Sequence, residues 1–346
     1  DAESKLAFAS AMAGDHRHAK QALDQLAELG DLEYQMLTRI EDQYEELYRH
    51  IEAVSDIAVS DDEQYVAAAG LRTLLVWQAK TGRIVHRHRL KGQQLRCVAF
   101  QPNGHLLVWG GQSGELFFKD IGNANERLRR LEFGEAINVI RFSPDADQVL
   151  AAGEKGKLAV WEIDGDQPLF AGKVTSASIA GADFAGPRRV MLADDEGQLS
   201  FFDLETETNE EFYRFGRSGF VSLDVGDQFD RFVAGTFSGP LMFGSLTDAD
   251  TIQIYRQGDG PMLDVAIWDE QDAFVGSALY GSLQIVKLPS MVKRTHHTYF
   301  QGRGQFTVSR KSGRILIGGG DGSVVAIQTS QRPGTIATNQ GDVLDL

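Results

Sequence analysis

Two stretches of the sequence, GEKGKLAVWEID at residues 153–164 and DDEGQLSFFDLE at residues 194–205, follow the same plan. Each contains a polar turn with a Gly, followed by a short apolar run that ends in an aromatic and an acidic residue. A plan repeated at a fixed interval is the signature of an architecture built from similar units, so the extent of the repetition decides the fold.

The repetition extends over most of the chain. The first apolar residue after this turn recurs at intervals of 41 or 42 residues, at Leu74, Leu116, Leu158, Leu199, Leu241, Leu283 and Val324. The last large apolar residue of the run that opens each unit keeps the same intervals, at Val59, Phe100, Phe142, Phe184, Val225, Ile267 and Val308. A Gly precedes each first marker by two places, except at Arg72. Since three markers keep one phase, the chain carries seven copies of one unit.

Each unit has the pattern of a small β-sheet. Residues 137–174 contain four apolar runs separated by polar turns, which predicts four short antiparallel strands. The Gly lies where a two-residue hairpin needs a positive φ, and small residues such as those at 67–69 let neighbouring sheets pack closely. We therefore predict a mainly β fold, a seven-bladed β-propeller with four-stranded antiparallel blades, preceded by two or three α-helices.

Several of these residues resemble the WD40 repeat family. An opening strand ends F-S-P-D at residues 142–145, and a third strand ends in an aromatic-acidic pair at Trp161-Glu162. The resemblance covers roughly residues 56–328, and it is degenerate. The Gly-His pair of this sequence, Gly104-His105, lies inside a unit rather than ahead of one. The family's His-to-Asp hydrogen-bond network is therefore not expected in its usual form.

The closure of the ring and the domain boundaries follow from the two ends of the repeat. Many WD40 rings complete their last blade with a strand from the N-terminal side. Here the residues before Ile57 have a helical pattern, and the last unit has its own candidate fourth strand at 335–338. We therefore expect blade seven simply to pack on blade one, with a helical segment at 1–53, the propeller at 54–340 and a tail at 341–346.

The first 53 residues depart from the β pattern. Ala and Leu recur at helical spacing around Gly14-Asp15, and the later Ala19 gives a likeness to the middle of a tetratricopeptide repeat. Further along, Ile40, Tyr44, Leu47 and Ile51 form one apolar stripe at helical spacing. A cap packed on the ring and the end of a longer helical array both fit this pattern.

Composition restricts the class of partner. The formal net charge of −15 argues against nucleic acid, because phosphate binding needs clustered Lys and Arg side chains. There is no apolar run of the ~18 residues that a membrane span requires, and the N-terminus lacks a signal-peptide pattern. Cys97 excludes an internal disulfide and is expected to be a small buried apolar residue. We expect a cytoplasmic protein, although the sequence begins at Asp1 without Met.

Catalytic patterns are mostly absent, so we predict no enzyme activity, no cofactor and no metal site. The run GGGDG at 318–322 has the phase of a hairpin turn, which we favour over a nucleotide-binding loop. His86 and His88 are expected on a solvated outer strand rather than in a metal site. The acidic groups at 61–63 and 194–196 are expected in solvated turns.

Three further acids, Asp183, Asp224 and Asp264, are interpreted as lying in register in the opening strands of units four to six. Their place is at the inner edge of the predicted ring, where some unrelated propellers hold metal or quinone cofactors. We favour structural carboxylates that cap neighbouring loops, and a site in the axial channel stays open as the alternative.

The loops that enter each blade, together with the turns between its second and third strands, offer the richest surface for a partner. Aromatic, Met and Arg residues are enriched in binding hot spots, and such residues recur here. The candidate partner-binding residues are Phe237, Leu279, Tyr280, Arg96, Arg217, Arg303 and Met262. The alternative is that these residues pack against neighbouring loops.

The resemblance implies a non-enzymatic protein-protein interaction scaffold, or a recognition or sensor module of a larger assembly, since WD40-like rings mostly recruit proteins. The alternatives are a structural subunit that assembles through its N-terminal helices, or an enzyme with a site in the axial channel.

Overall fold

Seven four-stranded antiparallel sheets make up the protein. The computed structural model describes residues 44–50, 52–216, 218–226, 228, 230–255, 262–268, 273–278, 282–287, 292–297, 305–309, 312 and 314–327. The innermost strand of each blade contacts that of the next, and the innermost strand of blade seven contacts that of blade one. The prediction of a seven-bladed propeller is therefore confirmed.

The strands repeat in the same order within each blade. The innermost strands of blades one to seven are β2 (Val54–Val59), β6 (Leu95–Phe100), β10 (Ile137–Phe142), β14 (Ile179–Phe184), β18 (Phe220–Val225), β22 (Met262–Trp268) and β26 (Gln305–Val308). The second strands are β3 (Tyr65–Gly70), β7 (Leu106–Gly111), β11 (Gln148–Gly153), β15 (Arg189–Asp194), β19 (Arg231–Thr236), β23 (Ala273–Ala278) and β27 (Ile315–Gly318).

The outer half of each blade has two more strands. The third strands are β4 (Thr73–Gln78), β8 (Glu115–Asp120), β12 (Lys157–Glu162), β16 (Gln198–Asp203), β20 (Leu241–Ser245), β24 (Ser282–Lys287) and β28 (Ser323–Ile327). The outermost strands are β5 (Arg83–Arg89), β9 (Arg129–Glu132), β13 (Pro168–Lys173), β17 (Thr208–Arg214), β21 (Gln253–Tyr255), β25 (Val292–His297) and, for blade seven, β1 (Tyr44–Arg49). A single 3₁₀ turn, Ala249–Thr251, precedes β21.

Ring closure differs from the prediction. The outermost strand of blade seven is β1, which pairs antiparallel with β28 from Tyr44 opposite Ile327 to Arg49 opposite Ser323. The helical prediction is therefore wrong over 44–49, and the expectation of closure by packing alone is wrong as well. The open edge of β28 offers unpaired backbone groups, and the chain satisfies them with this segment. The predicted helices at 1–43 and the candidate strand at 335–338 lie outside the described residues.

The apolar core lies between successive blades. Trp109 is fully buried there, and its ring stacks on Phe117 with centroids 5.7 Å apart. The small residues predicted in the second strands, such as Ala67 and Ala151, are also fully buried. Close packing of neighbouring sheets therefore depends on them. Within the described part of the chain, no helix is long and apolar enough to cross a bilayer.

The Gly of the hairpin has a second role besides the predicted positive φ. Gly156 has φ +83°, and a Cβ placed on it would lie 2.0 Å from the carbonyl oxygen of Thr175 in the loop that enters blade four. A Cβ placed on Gly197 would likewise contact the carbonyl oxygen of Phe215, in the loop that enters blade five. At these two positions the Gly therefore lets the entry loop cross directly over the hairpin of the preceding blade.

Candidate interaction face and axial channel

The entry face comprises the loops that enter each blade and the turns between second and third strands. Phe237 lies in such a turn, between β19 and β20, and 64% of its surface is exposed. The backbone beneath it is fixed, because the Phe237 N–H donates to the carbonyl of Gly219 at 3.0 Å and the Ser238 N–H donates to Ser218 Oγ at 2.9 Å. The ring is therefore presented to solvent by an ordered turn.

The other predicted partner-binding residues have different surroundings. Arg96 lies in strand β6 rather than in an entry loop, and its Nη1 donates to Asn138 Oδ1 at 2.7 Å and to Glu154 Oε2 at 2.9 Å in blade three. Met262 is fully buried in the core beside Leu241. The prediction that it lies in an exposed entry loop is therefore wrong. The remaining candidates, Leu279, Tyr280, Arg217 and Arg303, lie outside the described residues.

One exposed apolar residue of the entry face was missed from the sequence. Leu71 lies in the turn between β3 and β4 of blade one, and 42% of its surface is exposed. It stands three places before the first marker of its unit, as Tyr280 does in unit six. The same phase argument could therefore have found it.

A cavity of about 290 Å³ lies on the ring axis and is lined by the innermost strands of all seven blades. Its wall includes Asp61, Pro102 and Pro144, which belong to the turns that follow the innermost strands. The cavity therefore reaches the face opposite the entry face.

Five charged side chains of the innermost strands line this cavity: Asp56, Arg141, Asp183, Asp224 and Asp264. Arg141, Asp183 and Asp224 stand one residue before the second marker of their units, whereas Asp56 and Asp264 stand three residues before it. Asp264 is thus not in strict register with the other two predicted acids. Both positions face the axis because side chains alternate along a strand. Asp56 and Arg141 were not predicted from the sequence, although each lies at the same distance from the second marker of its unit as a predicted acid.

Three of the channel carboxylates, those of Asp56, Asp183 and Asp264, accept hydrogen bonds from two blades. Asp264 Oδ1 accepts from the backbone N–H of Val265 at 3.0 Å, and its Oδ2 accepts from that of Phe306 in blade seven at 3.1 Å. Asp56 does the same with Ile57 and with Val98 of blade two, at 2.8 Å each. These hydrogen bonds join adjacent innermost strands, whereas the sequence predicted that Asp264 caps a neighbouring loop.

Burial dominates the electrostatics of the channel. It raises the pKa of Asp56 to about 6, and burial together with the charge of Asp56 raises the pKa of Asp264 to about 7. Burial and the neighbouring Asp224 also raise the pKa of Asp183. Burial alone would lower the pKa of Arg141, but the four surrounding carboxylates raise it, so Arg141 stays cationic.

The comparisons agree with this geometry, although no family model matches the chain. The chain is 27% identical over 159 residues to the Periodic tryptophan protein 2 homolog of Neurospora crassa, covering 45% of this chain and 17% of that protein. It is 30% identical over 108 residues to WD repeat-containing protein 91 of Danio rerio, covering 31% and 15%. The Meiotic recombination protein rec14 of Schizosaccharomyces pombe matches at 27% over 113 residues, covering 32% and 37%.

The chain is a seven-bladed β-propeller that is similar to WD-repeat proteins. It spans less than two fifths of the length of each of these relatives.

Two histidines of blade one, His86 and His88, pack against Trp109 of blade two. Trp109 Nε1 donates to His88 Nδ1 at 3.2 Å, and His88 also stacks edge-on against Phe117. Burial lowers the pKa of His88, and it lowers that of His86 to about 4. The expectation of a solvated strand is therefore wrong for these two side chains, which lie partly buried between blades one and two. Nowhere in the described ranges do three or more His, Cys, Asp or Glu side chains come together in a way that could hold a metal ion.

The acidic turns are partly structural. Asp62 Oδ2 lies 2.8 Å from His105 Nε2 and so links blades one and two. Asp194 is buried, and its Oδ1 accepts from the N–H groups of Glu196 and Gln198, so the prediction of a solvated turn is wrong for this residue. The turn predicted at 318–322 is confirmed, with Gly322 at φ +84°, and the buried state of Cys97 is confirmed too.

Proposed function

We propose that this propeller is a non-enzymatic interaction scaffold or recognition module of a larger assembly, and that it holds a partner protein against its entry face. The WD-repeat relatives support a role in protein-protein interaction. The observation that carries the choice of face is Phe237, a large aromatic side chain that an ordered turn presents to solvent.

The Phe237 ring is largely exposed, so it contributes differently to folding and to binding. Its exposed ring contributes nothing to folding, whereas its removal from water on binding would contribute about 25 cal/mol for each Å² of apolar surface. Because the turn is already ordered by backbone hydrogen bonds, little conformational entropy is lost when a partner covers it. Such rigid aromatic residues form the centres of binding hot spots.

We expect Phe237→Ala to weaken partner binding by about 2 kcal/mol, or roughly 30-fold in Kd, without changing the thermal midpoint of unfolding. The matched control is Leu128→Ala, which removes an apolar side chain of 43% exposure that lies outside the entry face, in the segment between the third and outermost strands of blade two. Partners captured from native extract by the wild type would be identified, purified and titrated against all three proteins. Equal affinity of wild type and Phe237→Ala, or equal losses in both variants, would refute the assignment of this face.

The partner is expected to be a protein rather than nucleic acid, and a cytoplasmic location stays a prediction from the sequence.

The structural-subunit alternative depends on residues 1–43, which lie outside the described part, and it gains no specific support from the described residues.

A further inference from the structure

We propose that the axial channel makes the stability of the ring depend on pH. Loss of protons strengthens the single hydrogen bonds that the channel carboxyl groups accept, but the repulsion between the carboxylates in one cavity outweighs this gain and loosens the ring between blades four to seven and between blades one and two. This inference concerns the ring itself and does not rest on the proposed function.

The carboxyl groups join blades that are consecutive around the ring. Asp183 Oδ2 accepts from the N–H of Val225 at 3.2 Å, so it links blades four and five. Asp224 Oδ2 accepts from the N–H of Ile267 at 2.7 Å and links blades five and six. Asp264 and Asp56 continue the series at the joints from blade six to seven and from blade one to two. Four of the seven joints therefore depend on a carboxyl group that faces the channel.

The charges that face these groups do not balance. Among the described lining residues, β6 and β26 contribute no charged side chain, and β10 contributes Arg141, whose Nε lies 4.0 Å from Asp183 Oδ2. The neighbouring Cys97 thiol stays neutral, since burial raises its pKa. Asp61 lies further out, where its Oδ2 accepts from the N–H of Asn103 at 2.7 Å. When all four axial carboxyl groups are ionised, one guanidinium faces four carboxylates among the described side chains of the innermost strands that line the cavity.

The direction of the pH effect on stability follows from the linkage between proton binding and folding. The folded protein holds the pKa of Asp264 near 7 and that of Asp56 near 6, against an ordinary value of 3.8. The stability linked to these protons is fully present below about pH 4 and is lost as the pH rises through 6 to 7. The lowered pKa values of His50, His86 and His88 act in the opposite direction, destabilising the fold as the pH falls below about 6.5. Comparison of variants separates the two contributions.

The first test is the thermal midpoint of the full chain between pH 6 and 8.5. We expect the wild-type midpoint to fall by about 5 °C over this range, and that of Asp264→Asn to fall by roughly 3 °C less, since Asn does not ionise. The matched control is Asp164→Asn, which removes the same charge from an exposed turn position and should keep the wild-type slope. A slope for Asp264→Asn equal to that of the control would overturn the proposal.

The second test needs no variant and applies even if Asp264→Asn fails to fold. Hydrogen exchange of the wild type is followed at the amides of Val225, Ile267 and Phe306, which donate to the channel carboxyl groups. After correction for intrinsic exchange, their protection should fall at least about tenfold between pH 6 and 8.5 relative to the ladder amides that pair β11 with β12 in blade three. A constant ratio between the protection of the channel amides and that of the ladder amides would refute the proposal.

Discussion

Removal of residues 1–49 is expected to destabilise the propeller by about 5 kcal/mol, whereas removal of residues 1–43 should leave the ring intact. The longer truncation deletes β1, which forms five residue pairs with β28, each worth about 1 kcal/mol of net backbone hydrogen bonding. It also leaves blade seven with three strands and an open edge, which favours association between molecules.

The measurement is thermal unfolding followed by circular dichroism, with light scattering to detect aggregation. A loss of 5 kcal/mol corresponds to a midpoint lower by about 10 °C for a chain of this size. The shorter truncation is the control, because it keeps Tyr44 and the rest of β1. Two truncated proteins with the same midpoint would show that the strand does not close the ring.

Gly156→Ala is expected to cost more than about 3 kcal/mol, several times the cost of Gly92→Ala. Both glycines have positive φ, +83° and +77°, so both variants carry the backbone strain of about 1 kcal/mol for a left-handed Ala. They differ in space, because a Cβ on Gly156 would lie 2.0 Å from the Thr175 carbonyl oxygen, whereas a Cβ on Gly92 would meet no atom within 4 Å. The difference in unfolding free energy between the two variants therefore measures the cost of displacing the entry loop.

Chemical denaturation of both variants provides the measurement, with midpoints compared at equal m-values. A small and equal loss in the two proteins would mean that φ alone selects Gly at the hairpin. A much larger loss for Gly156→Ala would show that the crossing of the entry loop is the stronger constraint.

The repeat could be predicted from sequence because one physical requirement recurs in every unit. The hairpin that needs Gly at residue 156 also needs it at residues 114 and 197, and an apolar strand follows each time. Local chemistry therefore sets the period, and the period sets the number of blades. Phe237 was found in the same way, because the phase of a repeat assigns each residue to a turn or a strand.

Ring closure could not be predicted, because the apolar residues of the segment YEELYR at 44–49 recur at helical spacing and do not alternate as in a half-buried strand. What decides its conformation is the unpaired edge of β28, which lies nearly 280 residues further along the chain. Met262 shows the same limit, since its phase placed it at an entry loop whereas packing against Leu241 buries it. Long-range contacts, rather than local pattern, determine both outcomes.

The channel charges were found only in part for a different reason. The search for acids in one phase found Asp183 and Asp224 but passed over Arg141 at the same offset, because a cation does not belong to an acidic pattern. In the folded ring these side chains share one cavity, so the protonation state of each carboxyl group depends on the other charges.

The direction of β1 also sets where upstream polypeptide leaves the molecule. Tyr44 pairs with Ile327, the last residue of β28, and β28 runs away from the entry face. The chain therefore enters β1 on the far side of the disc, at the outer edge of blade seven. In the variant that lacks residues 1–43, a tag or a fused module attached ahead of Tyr44 should leave Phe237 and Leu71 on the entry face accessible.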